Sequence, residues 1–154
     1  MARSVLFVCL GNIIRSPAAE AILQKLTQEI ENLTIASCAI GMWSLGEPPD
    51  PRMVKAISKK GYAMTAGKRA RLIQKQDFEI FDMLLAADLA VFQKLINTSP
   101  EIHKNKIHML TAYSPRFKNE SVPDPYYLDD KAFDRAAEMI EDSCQHLANF
   151  LKSQ

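Results

Sequence analysis

The sequence has no long apolar run; its longest uninterrupted one, Val5 to Leu10, is six residues. A membrane-spanning helix needs about 20, so a soluble chain is expected. The run is also too short for a secretory leader, and no small-residue cleavage site follows it. An excess of one charge is equally lacking. Lysine and arginine number 19 against 18 aspartates and glutamates, a net charge of +1. That balance argues against nucleic acid or a membrane surface as a partner, while leaving room for a small basic pocket. Cysteine is sparse: Cys9, Cys38 and Cys144 are odd in number and widely spaced. No disulfide framework is expected, and a reduced, cytoplasmic setting fits. His103 and His108 have no cysteine at metal-ligand spacing, so no structural zinc is expected. Repeats, low-complexity tracts and linkers are absent, and residues 1–154 read as one domain.

What is present is 47% apolar residues, enough for a sizeable core. Short β-rich runs alternate with longer helical ones. Ser4 to Cys9 reads as a buried strand closed by a Gly-containing turn. Ser16-Pro17 reads as a helix start, with Ser16 at the N-cap and Pro17 at the first helical position. Ala19, Ile22, Leu23, Leu26 and Ile30 form the buried stripe of that helix. Leu33 to Ser37 reads as a second strand. Gly41 to Pro51 is a Gly- and Pro-rich loop. Met53 to Lys60 and Phe78 to Phe81 are expected as short helices, Met83 to Ala86 as a strand, Asp88 to Ile96 as a helix and Lys106 to Leu110 as a fourth strand. Phe133, Ala137, Ile140, Cys144, Leu147 and Leu151 recur at steps of four and three, one face of a long amphipathic helix. The alternation predicts an α/β fold: a three-layer domain with a four-stranded parallel sheet and helices on both faces. Sites in such sheets lie beyond the carboxyl ends of the strands, and Cys9 stands at one of those ends.

The segment Cys9-Leu10-Gly11-Asn12-Ile13-Ile14-Arg15-Ser16-Pro17 places a thiol at a strand end, a short loop, and an arginine at a helix mouth. Such a loop points backbone N–H groups at one spot, and the helix dipole adds positive potential. Arg15 adds a planar fork matched to phosphate oxygens. The same field favours the thiolate, the nucleophilic form of a cysteine. A bland alternative is a buried strand-end cysteine beside a surface arginine. The spacing alone arises by chance in on the order of one chain in ten; the preceding strand and the Ser-Pro helix start make chance a poor account.

The stretch Val5 to Pro17 resembles the phosphate-binding loop of the low-molecular-weight protein tyrosine phosphatases. A distant second segment, Asp124-Pro125-Tyr126-Tyr127, resembles the general-acid loop of that family. Gly46 to Pro51, Arg69-Ala70-Arg71 and Phe81-Asp82…Asp88 fall where similar segments occur, so the resemblance covers essentially the whole chain. It implies that Cys9 attacks phosphorus and that Arg15 and the loop Leu10, Gly11, Asn12, Ile13, Ile14, Arg15, Ser16 hold the phosphoryl oxygens. It implies that Asp124 protonates the leaving group and then activates water. By the same likeness Ser16 donates to the Cys9 sulfur, and Asn12 shapes the loop through Ser16 and a serine matching Ser37. Trp43, Tyr126 and Tyr127 are the implied substrate pocket, although Trp43 reads equally well as core and Asp124 alone as a turn former. The implied substrates are phosphotyrosine proteins or small aryl phosphates, the implied inhibitors phosphate-like oxyanions. No cofactor and no metal is implied.

Four positions depart from the pattern: Ile14, Lys68, and Ala87 and Val91, the last two replacing residues frequent near the family's Met-Asp segment. Ile14 stands where many relatives carry a second cysteine able to protect the nucleophile, which leaves Cys38 as a possible substitute and Cys144 as a core residue. Lys68 stands where many relatives carry a histidine that supports the loop, and its alternative is a solvated surface charge. Acidic residues near the pocket mouth, Asp129, Asp130, Glu47 and Asp50, suggest basic phosphopeptides, or else are loop charges and helix starts. Competing readings are an arsenate reductase of the same fold and an inactive phosphotyrosine-binding module. The first lacks a paired-cysteine relay here; the second sits badly with Cys9, Arg15 and Asp124 all being present.

Overall fold

The computed structural model describes residues 2–154. Strand β1 (Ser4–Cys9) leads into helix α1 (Arg15–Leu26), followed by β2 (Thr34–Ala39), α2 (Pro51–Ser58), the single turn α3 (Asp77–Ile80), β3 (Met83–Ala86), α4 (Leu89–Thr98), a 3₁₀ segment Glu101–Lys106, β4 (Ile107–Met109) and the long α5 (Asp130–Lys152). The four strands are parallel, in the order β2-β1-β3-β4.

That order follows from the sequence of crossovers. The chain leaves β1 for β2 on one side and returns to lay β3 on the other. The strand order therefore reverses direction at the carboxyl end of β1, and such a switch point opens a crevice there. Cys9 is the last residue of β1 and so forms its floor.

All six residues of β1 are buried, because helices cover both faces of the strand. Val5, Phe7 and Cys9 face α1, α2 and α5. Leu6 and Val8 face α3 and α4. Each fully buried Leu or Phe contributes roughly 1.5–3 kcal/mol, so an uninterrupted apolar strand belongs at the centre of the sheet. Helix α1 is buried over its first nine residues, Arg15 to Leu23, wedged between the sheet and α5. The α5 stripe from Phe133 to Leu151 is buried throughout.

Several element boundaries differ from the sequence reading. Strand β2 runs two residues further, to Ala39, because its ladder continues until Ala39 sits opposite Cys9. Helix α2 begins at Pro51, inside the expected loop: the Asp50 side chain accepts from the Arg52 amide as an N-cap, and proline at the first position has no N–H to leave unpaired. Asp88 caps α4 rather than lying within it, accepting from Val91 N at 2.8 Å. The fourth strand is shorter, Ile107 to Met109, since Lys106 closes the 3₁₀ segment. At α1 the expected cap is corrected. The helix starts at Arg15 with Ile14 at the N-cap position and no side-chain cap; the Ser16 hydroxyl is spent on the site below.

Candidate active site

The loop between β1 and α1 turns through Asn12, whose φ of 59° lies in the left-handed region. Asparagine tolerates that conformation better than most residues, and three hydrogen bonds hold it. Its Nδ2 donates to Ser16 Oγ at 2.8 Å and to Ser37 Oγ at 2.9 Å, while its Oδ1 accepts from the Arg71 amide at 3.1 Å. The turn carries the Asn12 amide to 3.3 Å and the Ser16 amide to 3.4 Å from Cys9 Sγ, with Ser16 Oγ at 2.9 Å. Sulfur thus sits at the focus of two N–H groups and a hydroxyl.

The direction of the hydroxyl bond can be deduced. Ser37 Oγ donates to Glu20 Oε1 at 2.6 Å, so it accepts from Asn12. Because Arg71 N–H fixes the amide oxygen of Asn12, the amide nitrogen faces both serines. Ser16 Oγ therefore accepts from Asn12 and has its own proton for Cys9, the nearer of its two acceptors; the Cys38 carbonyl is 3.4 Å away. A buried carboxylate, acceptor-only when ionised, orients a chain of hydrogen bonds that ends at the sulfur.

Lys68 closes the far end of this chain. Its Nζ donates to the Ser37 carbonyl at 2.9 Å and lies 3.5 Å from Glu20 Oε1. The lysine side chain is 10% exposed and the glutamate 6%. The reading of Lys68 as a solvated surface charge is thereby corrected. Residues 71–73 run alongside β2, with Ala39 N donating to Arg71 O and Ile73 N to Ala39 O, and this pairing delivers Lys68 to the back of the loop.

Arg15 is 2% exposed. A guanidinium so deeply buried needs a carboxylate, and Asp88, the N-cap of α4 just beyond β3, supplies one at 2.7 Å, with the Val122 carbonyl at 2.8 Å. Asp124 Oδ2 lies 3.7 Å from the other Arg15 nitrogen. Asp88 and Glu20 are site residues that the local sequence pattern does not single out, and Lys68 takes the supporting place that the family likeness marks as a departure. The available signal was Arg15 itself, since a buried cation requires a counter-charge somewhere in the chain.

A cleft of about 420 Å³ opens over the sulfur, lined by the loop from Cys9 to Arg15, by Trp43, Ser44 and Glu47 on one side, and by Asp124, Tyr126 and Tyr127 on the other. Asn12 and Ser16 lie beneath it, buried. Tyr126 and Tyr127 meet edge to face at 4.8 Å between centroids. Trp43 stands at the mouth, 78% exposed, so the core alternative for it is corrected. Its indole lies on Gly41, where a Cβ would fall inside the ring; only glycine admits that approach. Of the acidic residues at the mouth, Glu47 lines the cleft. Asp50 and Asp129 are helix N-caps and Asp130 opens α5.

Cys38 is no partner for Cys9. It pairs in register with Val8 and packs with it on the opposite face of the sheet, and burial pushes its thiol far above the ordinary range. Cys144 is likewise buried, on α5, with its thiol raised by the same cause. Among the described residues no cluster of three or more His, Cys, Asp or Glu side chains has metal-binding geometry.

A family model described as low molecular weight phosphotyrosine protein phosphatase matches residues 4–154. The low molecular weight phosphotyrosine protein phosphatase of Gallus gallus is 39% identical over 148 residues, covering 93% of this chain and 92% of that protein. Its Homo sapiens counterpart is 37% identical over 148 residues, with the same two shares. Among solved structures, the protein tyrosine phosphatase of Entamoeba histolytica with Hepes in the active site superposes with a TM-score of 0.91 at 35% identity, covering 97% of each chain.

Proposed function

The chain belongs to the low molecular weight phosphotyrosine protein phosphatase family, and from that premise we propose how its residues divide the work. The protein is a tyrosine phosphatase, a hydrolase; the relatives that match it do not favour arsenate reduction or an inactive binding module. The observation that carries the assignment of roles is the meeting of Cys9, Arg15 and Asp124 in one cleft.

In the first step the Cys9 thiolate attacks phosphorus in line, forming the S–P bond as the P–O bond to the aryl group breaks. The departing electron pair goes to the phenolic oxygen, which takes the proton of Asp124. Arg15 and the loop amides hold the three equatorial oxygens and stabilise the charge that spreads over them. In the second step water attacks phosphorus and gives its proton to the Asp124 carboxylate. The S–P bond breaks and the thiolate regains the Ser16 hydrogen bond. The cycle calls on no group beyond this chain and water.

Phosphotyrosine proteins and small aryl phosphates fit the cleft, since Tyr126, Tyr127 and Trp43 offer aromatic walls above an anion-binding floor. Inhibition by phosphate-like oxyanions belongs to the same proposal, and the Hepes in the active site of the Entamoeba protein supports it. No helix among the described residues is long and apolar enough to cross a membrane. A reducing, cytoplasmic setting and a single catalytic unit over residues 1–154 complete the proposal; three free thiols support the first. Replacing Cys9 by serine tests the assignment. Turnover of an aryl phosphate should vanish while inorganic phosphate still binds, and turnover surviving in Cys9→Ser would defeat the covalent mechanism.

A further inference from the structure

Beyond Val122, which is tied to Ala87 and Arg15, and the 3.7 Å approach of Asp124 to Arg15, the segment that carries Asp124 has little to hold it. Residues 123–128 form no regular structure, and prolines at 123 and 125 remove two of the amides that could anchor it. The Tyr126 amide is used locally, on Asp124 Oδ1 at 3.1 Å, and the Leu128 amide on the Pro125 carbonyl. Among the described residues, one hydrogen bond ties this segment to another part of the chain. Arg52 NH1 donates to the Tyr126 carbonyl at 3.0 Å.

Arg52 is itself held on three sides. Its Nε and NH2 reach the two Asp50 oxygens at 3.1 and 2.8 Å, a bidentate pair. Its guanidinium carbon lies 4.4 Å from the centroid of Phe133, a fully buried ring on α5, and 5.4 Å from that of Tyr126. The one nitrogen left over is the one that faces the loop. Asp50 is in turn fixed by capping α2 and by its amide on the Ile13 carbonyl at 2.8 Å, inside the phosphate loop.

We propose that Arg52 is a positioning residue for the general acid, a strut that holds the Tyr126 carbonyl and thereby keeps the Asp124 carboxyl over the leaving-group side of the cleft. This rests on the phosphatase reading above. Arg52 is outside the cleft lining and touches no reacting atom. The strut joins the acid loop to the same residue, Asp50, that buttresses the nucleophile loop, so this ion pair adds a second tie between the two halves of the site beside the contacts of Arg15 with Val122 and Asp124.

The test uses Arg52→Ala and two aryl phosphates, phenyl phosphate with a poor leaving group and 2,4-dinitrophenyl phosphate with a good one. The measured quantity is kcat/KM, which reports the steps up to departure of the phenol. A misplaced acid hurts only the substrate that needs a proton. Loss of part of the general-acid contribution should lower kcat/KM for phenyl phosphate about tenfold. For the dinitrophenyl ester the fall should be less than about twofold, with the inhibition constant of inorganic phosphate unchanged. An equal fall for both esters, or no fall for either, overturns the proposal. Should the alanine variant fail to fold, Arg52→Lys decides. It keeps a cation against Asp50 but lacks the second arm, so the same selective loss is expected at smaller size, and a wild-type ratio between the esters overturns the strut. Wild-type enzyme inactive on both esters would instead defeat the phosphatase reading itself.

Discussion

Val8 and Cys38 face each other across the β1–β2 ladder, and this pairing turns the Cys38 thiol to the side of the sheet away from Cys9. Successive strand residues point to opposite faces, so no rotamer of Cys38 can cross to the nucleophile. The only other cysteine, Cys144, is buried on α5 and donates to the Ala19 carbonyl.

Oxidised Cys9 therefore has no thiol to form a protective disulfide with, and Ile14 occupies the neighbouring loop position. Sulfenic acid that is not captured goes on to sulfinic acid, which thiols do not reduce. After brief peroxide treatment, dithiothreitol should restore only a minor part of the activity, and mass spectrometry should find Cys9 as the sulfinic form. Ile14→Cys should recover far more, and Cys38→Ser should behave as wild type. Full recovery of the wild-type enzyme would refute the expectation.

Lys68 and Glu20 form a buried pair behind the loop, and removing one partner leaves the other charge without compensation. Lys68→Met should lower stability by about 3 kcal/mol, read as a fall in the denaturant midpoint. Adding Glu20→Gln should return part of that loss, since the double variant buries no lone charge. Additive losses would mean that the two side chains are not coupled.

Asp88 neutralises Arg15 when no substrate is bound, but it also repels an incoming phosphate. Asp88→Asn keeps a good N-cap for α4 while removing that charge. Phosphate should then inhibit about fivefold more tightly, the equivalent of about 1 kcal/mol of relieved repulsion. Turnover should fall, because Arg15 loses the partner that aims it. Unchanged or weaker phosphate inhibition would count against this account.

Asp50 gives a pH signature. Burial alone would raise its pKa, but hydrogen bonds from the Arg52 side chain and amide outweigh burial and hold it below the ordinary 3.8. A carboxylate depressed on folding stabilises the protein above its unfolded pKa and loses that contribution as pH falls through the folded one. The stability difference between wild type and Asp50→Asn should be constant from neutral pH down to about 4 and shrink below it. A difference that instead shrinks between pH 7 and 5 would assign the effect to another group.

The nucleophile loop was legible because its parts are neighbours in sequence. A buried strand, a turn and a helix start are local patterns, and Cys9 and Arg15 fall where those patterns bring N–H groups together. Asp124 was legible through family likeness, not physics, since an aspartate between prolines reads equally well as a turn. The alternation of strands and helices, and the α5 stripe, carried the layered fold for the same local reason: apolar spacing states which face of an element is buried.

The near-zero net charge and the few cysteines differ in what they say about the site. A net charge of +1 left the site untouched, because the relevant potential is concentrated in one loop and one arginine. The three cysteines became distinguishable only after folding. Composition and spacing by themselves determined an α/β chain with a phosphate-binding loop after its first strand. Tertiary structure alone decided which distant partners the arginines meet: Arg15 the Asp88 carboxylate across 73 positions, Arg52 the Tyr126 carbonyl across 74. It also decided that Cys38 turns away from Cys9. Sequence records the preferences of each segment, whereas long-range partners and strand register are chosen by packing the whole chain at once, and that choice set the back and the flank of this site.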